Sequence, residues 1–488
     1  MHLHHLLCLG AVGGLTVAAN AQVPPTLPWS RTFDLFVSER TNEDILRLRD
    51  LNQDGDYLDA GETMVFFTNA SPTVPTVSGI QLASTTGLAC GLDGTIFAVT
   101  STSDEIAALR DLNGDGDADD AGEATIWFSS AGNASGILLG SAQSITVDLL
   151  GRVFVLTANG GSPVVGVDGV VMIQDLDADG DAQDAGEASY YLQVPNSSGA
   201  TNHSNPTEFA FGPDGTLYYG DIGTSGPIAR GIYRAADNNF DGDCNDPGEV
   251  TLWWVPTFTG VPAWYGFAFD PVGQLYITNH GSGGRSITRV QDLNSDGSVD
   301  ATEQAVFYTA TSGIWWDLVR RSDGALLMID SSPDTILAFN DLNTDSDFFD
   351  AGEVTTVWDK NLAGFPTADL RAMTFMRAPQ LLMTPSPVSI GTPTTWQMTT
   401  AEPFDLAVAF GALTIISPIP VPPFGDLEID PSTLILFGLG VSNIACQAQF
   451  TLTLANDPAL IGAYGCQAWC GELSRMFLSN PDSLIITP

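Results

Sequence analysis

Apolar and polar residues alternate in short runs along most of this chain, and the runs come in pairs. One kind of pair joins DILRLRDL, from Asp44, to TMVFFT, from Thr63. It returns as EIAALRDL with ATIWFS, VVMIQDL with ASYYLQ, GIYRAAD with VTLWWV, ITRVQDL with QAVFYT, and TILAFNDL with VTTVWD. A period of two, carried by β-branched and aromatic residues, predicts strands. A second kind of pair precedes most of these: GLACGLDGTIFAVT, SITVDLLGRVFVLT, FAFGPDGTLYYGD, FAFDPVGQLYITN and LVRRSDGALLMID. Each contains a reversal with glycine, which supplies the positive φ of a tight turn. One repeat is thus four antiparallel strands, the blade of a β-propeller.

The first repeat lacks its innermost strand. Its opening run, Thr32 to Val37, matches the second strand of the other repeats, and the missing strand reads as Asp369 to Phe375, after the last repeat. Joining one C-terminal strand to three N-terminal ones would close a ring and remove the free sheet edges that invite aggregation. The expectation is an all-β chain: a six-bladed β-propeller over residues 22–379, then a β-sandwich-like accessory domain over 380–488.

Between the strands of each outer pair stands an acidic loop, written six times with starts 61, 64, 62, 55 and 49 residues apart. Oxygen ligands at positions 1, 3, 5, 7, 9 and 12, with glycine at 6, are the spacing of an EF-hand Ca²⁺ loop. The fifth copy has this spacing, with Asp292, Asn294, Asp296, Ser298 through its carbonyl, Asp300 and Glu303. The other copies carry one extra residue after the glycine. The first offers Asp50, Asn52, Asp54, Asp56, Asp59 and Glu62; the second Asp111, Asn113, Asp115, Asp117, Asp120 and Glu123. The third offers Asp175, Asp177, Asp179, Asp181, Asp184 and Glu187; the fourth Asp237, Asn239, Asp241, Asp243, Asp246 and Glu249. The sixth offers Asp341, Asn343, Asp345, Asp347, Asp350 and Glu353, and it has Ser346 where the turn wants glycine. The extra residue either lets position 7 bind through its side chain or moves the closing Glu beyond reach. Ca²⁺ is the expected cofactor, and its expected role is to rigidify each outer hairpin.

Phe209 to Asp221 and Phe267 to Asn279 carry a hydrophobic strand, an Asp-Gly or Asp-Pro-x-Gly turn and a strand ending in Asp or Asn. In this the chain resembles the six-bladed propellers of the NHL, strictosidine-synthase-like and TolB-like group. The resemblance implies a fold over roughly residues 30–379, in a group whose members serve as binding platforms, lactonases, lyases and scaffolds. The acidic loops also resemble those of dockerins; dockerin loops lead into helices, whereas these lead into strands, so no cohesin-type partner is carried over.

Charge sharpens the picture. The chain has 58 Asp and Glu against 16 Lys and Arg, a net −42, and 31 of those acids lie in the six loops. Such a density strains a fold by self-repulsion unless cations offset it. With no basic stripe to neutralise phosphates, nucleic acid is not an expected partner. An apolar run from Leu6 to Ala19 ending in Ala19-Asn20-Ala21 reads as a signal peptide over 1–21, with no Lys or Arg before it. A secreted or cell-surface chain of bacterial type is expected, without a transmembrane segment after cleavage. Cys90, Cys244, Cys446, Cys466 and Cys470 would then remain, an odd number that fixes no disulfide framework.

Propeller sites are usually built from the starts of inner strands and the loops after second strands. Those positions hold Glu39, Asn202, His203, Asn205, Glu208, Asp221, Tyr265, Asn279, His280, Asp317, Asp330 and Asp369. Glu208, Asp317, Asp369 and His280 are the catalytic candidates, because a cluster of carboxylates and imidazole in the channel could hold a divalent ion. Trp253, Trp254, Trp264, Trp315 and Trp316 form either a glycan-binding face or inter-blade core. No nucleophile elbow, HExxH or phosphate-cradling motif is present. The first expectation is an extracellular binding or scaffold protein with a protein or glycan partner; the alternative is a metal-dependent hydrolase, lactonase or lyase with its site in the channel.

Overall fold

The computed structural model describes residues 34–376, apart from 53, 70–79, 81, 92, 114, 149–150, 159–167, 195–204, 224–229, 257–261, 271, 283, 322–323 and 344, together with the strand backbones between 380 and 487. The signal segment, the start of the first repeat at Thr32 and Phe33, and Asn202 and His203 lie outside the described residues. Among those described there is no helix, and so none long and apolar enough to cross a membrane.

Six four-stranded antiparallel sheets form the six blades of a β-propeller. Blade 1 is Leu35–Glu39, Asp44–Leu48 and Thr63–Thr68, completed on its inner side by Leu370–Phe375. Blades 2 to 6 follow in chain order from inner strands Thr85–Cys90, Ala142–Val147, Pro206–Phe211, Phe267–Phe269 and Trp315–Arg320. The closing strand pairs Leu35 with Phe375 and Val37 with Met373, and Met376 N–H donates to the Asp34 carbonyl at 2.8 Å. The outermost strands are Thr63–Thr68, Ala124–Ser129, Ala188–Gln193, Val250–Trp254, Gln304–Ala310 and Val354–Asp359.

Each outer hairpin has a bulge at the same place, after Ile45, Ile106, Val170, Ile232, Ile287 and Ile336. The extra residue increases local twist. Core side chains of adjoining blades meet at the seams. Phe66 and Phe67 of blade 1 share a cluster with Ile96 and Leu109 of blade 2, and Trp358 of blade 6 donates to Thr63 Oγ1 of blade 1 at 3.0 Å. Trp254, Trp264 and Trp315 are fully buried and Trp253 nearly so, so these four indoles are core.

The ring fixes which residues can meet. Inner strands run from one mouth, where the loops after second strands also lie, to the rim that carries the glycine turns and all six acidic loops. Beyond the ring, Gln380–Thr384, Pro393–Thr399 and Gln447–Thr453 form one antiparallel sheet, while Leu406–Ala412, Ile435–Val441 and Gly462–Glu472 belong to another.

Candidate functional site

The acidic loops share one construction. The first carboxylate accepts the N–H of position 6, as Asp50 does from Gly55 at 3.0 Å and Asp292 from Gly297 at 2.8 Å. The closing glutamate is buried, and its two oxygens accept the N–H of position 2 and that of the Asp three residues before it. For Glu62 these are Leu51 at 2.8 Å and Asp59 at 3.2 Å. Glu123, Glu187, Glu249, Glu303 and Glu353 repeat the pattern. The extra residue therefore does not move the glutamate away. It is accommodated between positions 8 and 10, where its N–H is taken by the position-7 carboxylate: Asp56 from Leu58, Asp117 from Asp119, Asp181 from Gln183, Asp243 from Asn245 and Asp347 from Phe349, at 2.8–3.0 Å.

Position 8 does something the sequence did not show. Tyr57, Ala118, Ala182, Cys244, Val299 and Phe348 are buried. Their N–H groups donate to Val357, Phe66, Trp127, Tyr191, Trp253 and Phe307 at 2.7–2.9 Å, each on the outermost strand of the preceding blade. Every acidic loop is thus a clamp across a seam, and the Tyr57 clamp spans the closure between blade 6 and blade 1. Arg321 of blade 6 adds a bond to the Gly55 carbonyl at 3.0 Å, and Arg47 of blade 1 adds one to Gly116 at 3.2 Å.

The donor sets differ between loops. In the first, second, fourth and sixth, the position-3 Asn amide donates to the Asp at position 5 and to that at position 10. In the third, Asp177 takes that place. Ligand oxygens of Asp175, Asp177 and Glu187, and of Asp177, Asp179 and Asp184, lie within 4.8 Å of one another there, as do those of Asp341, Asp345 and Glu353 in the sixth. In the fifth, hydroxyls of Ser298 and Thr302 donate to Asp296 and Asp300 and hold both below the usual carboxylate range. Burial holds Glu62 and Glu123 above it. Oxygen-rich, acid-dense loops of this kind suit a hard divalent cation such as Ca²⁺.

At the centre of the ring is a cavity of about 1020 Å³. Two catalytic candidates enter it. Glu208, on the inner strand of blade 4, is buried and accepts the Ser144 hydroxyl of blade 3 at 2.6 Å and its neighbour Phe209 N–H at 2.9 Å. Asp317, on the inner strand of blade 6, accepts Met373 N–H of blade 1 and Leu318 N–H, both at 2.7 Å. Burial and, second, the charge of Asp317 push Glu208 well above the usual carboxylate value. Burial pushes Asp317 up to about 6, against the pull of its two N–H bonds. It is half-buried, its remaining exposure facing the channel space. Each thus holds its proton to higher pH than an ordinary carboxyl, and the charge on Asp317 makes Glu208 harder still to ionise.

The other two candidates do not line the cavity. Asp369 sits at the mouth, where its carboxylate takes Arg371 Nη2 at 3.0 Å. His280 is turned against blade 6: its Nδ1–H donates to the Trp315 carbonyl at 2.6 Å, and its ring stacks on Tyr265 at 5.3 Å. Burial lowers its pKa, which keeps the imidazole neutral. A four-ligand cluster in the channel is therefore not formed. Among the described residues, no group of three His, Cys, Asp or Glu ligands includes Glu208 or Asp317.

Glu39, Asp221, Asn279 and Asp330, which end second strands, are buried loop staples. Glu39 takes Thr41 and Asn42 N–H, Asp221 takes Asn205 and Gly223, Asn279 takes Ala263 and Gly281, and Asp330 takes Ile314 and Ser332. Sequence reasoning missed Arg40, Ser144 and Arg371 as channel residues. The available signal was the rarity of arginine in so acidic a chain.

Comparison with known proteins assigns the chain to no family. No protein-family profile matches the chain, and no curated protein matches it. Among solved structures, a gluconolactonase from Xanthomonas campestris is 16% identical, with 62% of this chain and 84% of that one covered and a TM-score of 0.39. The calcium-binding protein regucalcin from Agrobacterium tumefaciens is 16% identical over 55% of this chain and 73% of that one, at 0.36. A putative 6-phosphogluconolactonase from Bacteroides uniformis is 12% identical over 70% and 99%, at 0.42. These likenesses assign no substrate or activity to this chain.

Proposed function

We propose that this chain is an exported propeller whose ring is clamped by Ca²⁺-binding loops and whose central channel carries hydrolytic acid–base chemistry on a small polar substrate. The observation that supports the hydrolase reading is that Glu208 and Asp317, on the inner strands of two blades, both line the channel, with burial raising both pKa values. Half-protonated, such a pair holds one carboxylic acid and one carboxylate at the same pH, the two roles that ester, lactone or glycoside cleavage requires. The carboxylate takes a proton from water as its oxygen attacks the electrophilic carbon. The carboxylic acid gives its proton to the leaving oxygen as that bond breaks, and the pair ends with the proton transposed. Among the described residues no three-ligand group includes Glu208 or Asp317, so the reading routes no step through an ion there; the Ca²⁺ is assigned to the rim.

A panel of lactones, aryl esters and nitrophenyl glycosides tests this. Glu208→Gln and Asp317→Asn should each lower kcat by roughly a hundredfold or more. The wild-type rate should fall as pH drops below about 6, where Asp317 takes up a proton, and fall again at higher pH once Glu208 ionises. A second reading, an extracellular binding protein, is favoured by Ser144 and Met373, which already occupy one oxygen of each carboxylate and so tie blades together. Ligand binding without turnover of any class would select it.

A further inference from the structure

Four of the sixteen basic residues of the chain, Arg40, Arg152, Arg320 and Arg371, line the central cavity. In a molecule of net charge −42 that is a local reversal. Arg152 and Arg320 lie at the acidic-loop end with Asp148 and Asp270, and Arg152 is tied to Asp148 at 2.7 Å. At the opposite mouth, where the inner strands begin, the lining includes Arg40 and Arg371 beside Ser84, Ser101, Ser141, Tyr265 and Trp316, with Glu208 and Asp317 at the third positions of their strands.

The two arginines flank one residue. Arg40 N–H donates to the Asp369 carbonyl at 2.9 Å, and the Arg371 guanidinium meets the Asp369 carboxylate at 3.0 Å. Arg371 is held flat, 4.2 Å from the Trp316 ring, and its Nε is buried with no hydrogen-bond partner. Arg40 is exposed, and no ion pair of its guanidinium occurs among the described residues. Beside them the rings of Tyr265 and Trp316 stand 4.7 Å apart, and the Trp316 indole is fixed by its N–H to Ser331 Oγ at 2.9 Å. A guanidinium fork matches a carboxylate in geometry as well as charge. A fixed aromatic face takes a flat ring.

We infer that this mouth selects a small carboxylate-bearing ligand, with its carboxylate on Arg40 and Arg371 and a flat ring or sugar face on Tyr265 and Trp316. The inference rests on the channel being the ligand site and names the ligand class for it. The surrounding negative charge repels anions elsewhere, so an anion at the mouth would rely on Arg40 and on the Arg371 Nε that Asp369 leaves unpartnered. A neutral ligand of the same shape would offer no charge to Arg40 or to the partnerless Arg371 Nε. The cavity suits a small molecule, since such sites commonly span about 300–1,000 Å³.

Calorimetric titration of the full chain with Ca²⁺ present tests this, using glucuronate and benzoate against glucose and benzamide. The anions should bind at least roughly tenfold more tightly than their neutral partners, and the preference should shrink in high salt. Arg371→Ala should remove it, and Arg40→Ala, at an exposed side chain, should weaken it without unfolding the ring. Neutral ligands binding as tightly as anions would overturn the inference. So would anion binding unchanged in both arginine variants, or no anion binding to the wild type. If anions bind with this preference but nothing is hydrolysed, the ligand class stands and the hydrolase reading fails. If substrates are hydrolysed with no preference for anionic over neutral ones, the hydrolase reading stands and the ligand class fails.

Discussion

Ser346 is the residue at which one loop departs from the rest. Its φ is 72°, in the left-handed region where Gly55, Gly116, Gly180, Gly242 and Gly297 sit in the other copies. A side chain there costs roughly 1 kcal/mol. Ser346→Gly should stabilise the protein by about that amount, read from thermal or urea unfolding. Gly266 is the opposite case: a Cβ there would fall 2.6 Å from the Leu318 nitrogen, beside Asp317. Gly266→Ala should therefore disturb the channel carboxylate as well as the seam.

The pair of Glu208 and Asp317 also makes a signed prediction. Its folded pKa values lie above those of free carboxyls, so the folded state holds a proton where the unfolded chain has lost it. Its contribution to stability thus grows as pH falls below the folded values and is lost as pH rises through about 6. Asp317→Asn, which cannot ionise, should gain stability relative to wild type above pH 6; the gain should shrink as pH falls below 6 and vanish only near the ordinary carboxyl value of 3.8. A pH-independent difference between the two melting curves would count against the buried pair.

At the scale of elements, the acidic loop is the part that changed meaning. Its flanking strands were legible because period two, aromatic content and turn residues are local properties. The seam contact of position 8 was not, because its partner carbonyl lies about fifty residues away, or three hundred at the closure. Residue identity at that position varies from Ala to Tyr, so no motif marked it. Tyr57 is fully buried in the closing seam. Tyr57→Ala should cost about 3 kcal/mol, the usual range for a deleted core aromatic, and calorimetry should show the loss at the ring's main transition. If the melting point does not move, the clamp carries no stability.

For the whole molecule, six acid-dense loops on one rim lie over six seams, so on the proposed Ca²⁺ reading ion binding is linked to ring closure. Binding that favours the folded state stabilises by about 2.7 kcal/mol per site at a hundredfold excess over Kd. Chelation should lower the melting temperature by more than about 5 °C, reversed by Ca²⁺ better than by Mg²⁺, which demands stricter octahedral geometry. Ion counting by native mass spectrometry should find the third loop, with Asp at position 3, among the last to empty. An unchanged melting curve in chelator would remove Ca²⁺ from the account.

By itself, the sequence determined the strands, the repeat, the number of blades and the strand exchange that closes the ring. Each of these is written in local pattern and in the order of segments. The tertiary structure alone decided which side chains share the channel. Glu208 and Asp317 both line it because inner strands of different blades converge on one axis. His280 turns to the Trp315 carbonyl, and Asp369 is taken by Arg371. Equivalent positions in a repeat look alike in sequence, but whether a side chain faces the axis, a seam or its own loop depends on how the blades pack and where the strands bulge. The arginine pair at the mouth was hidden for the same reason: Arg40 and Arg371 are adjacent only because the last strand of the ring lies beside the first.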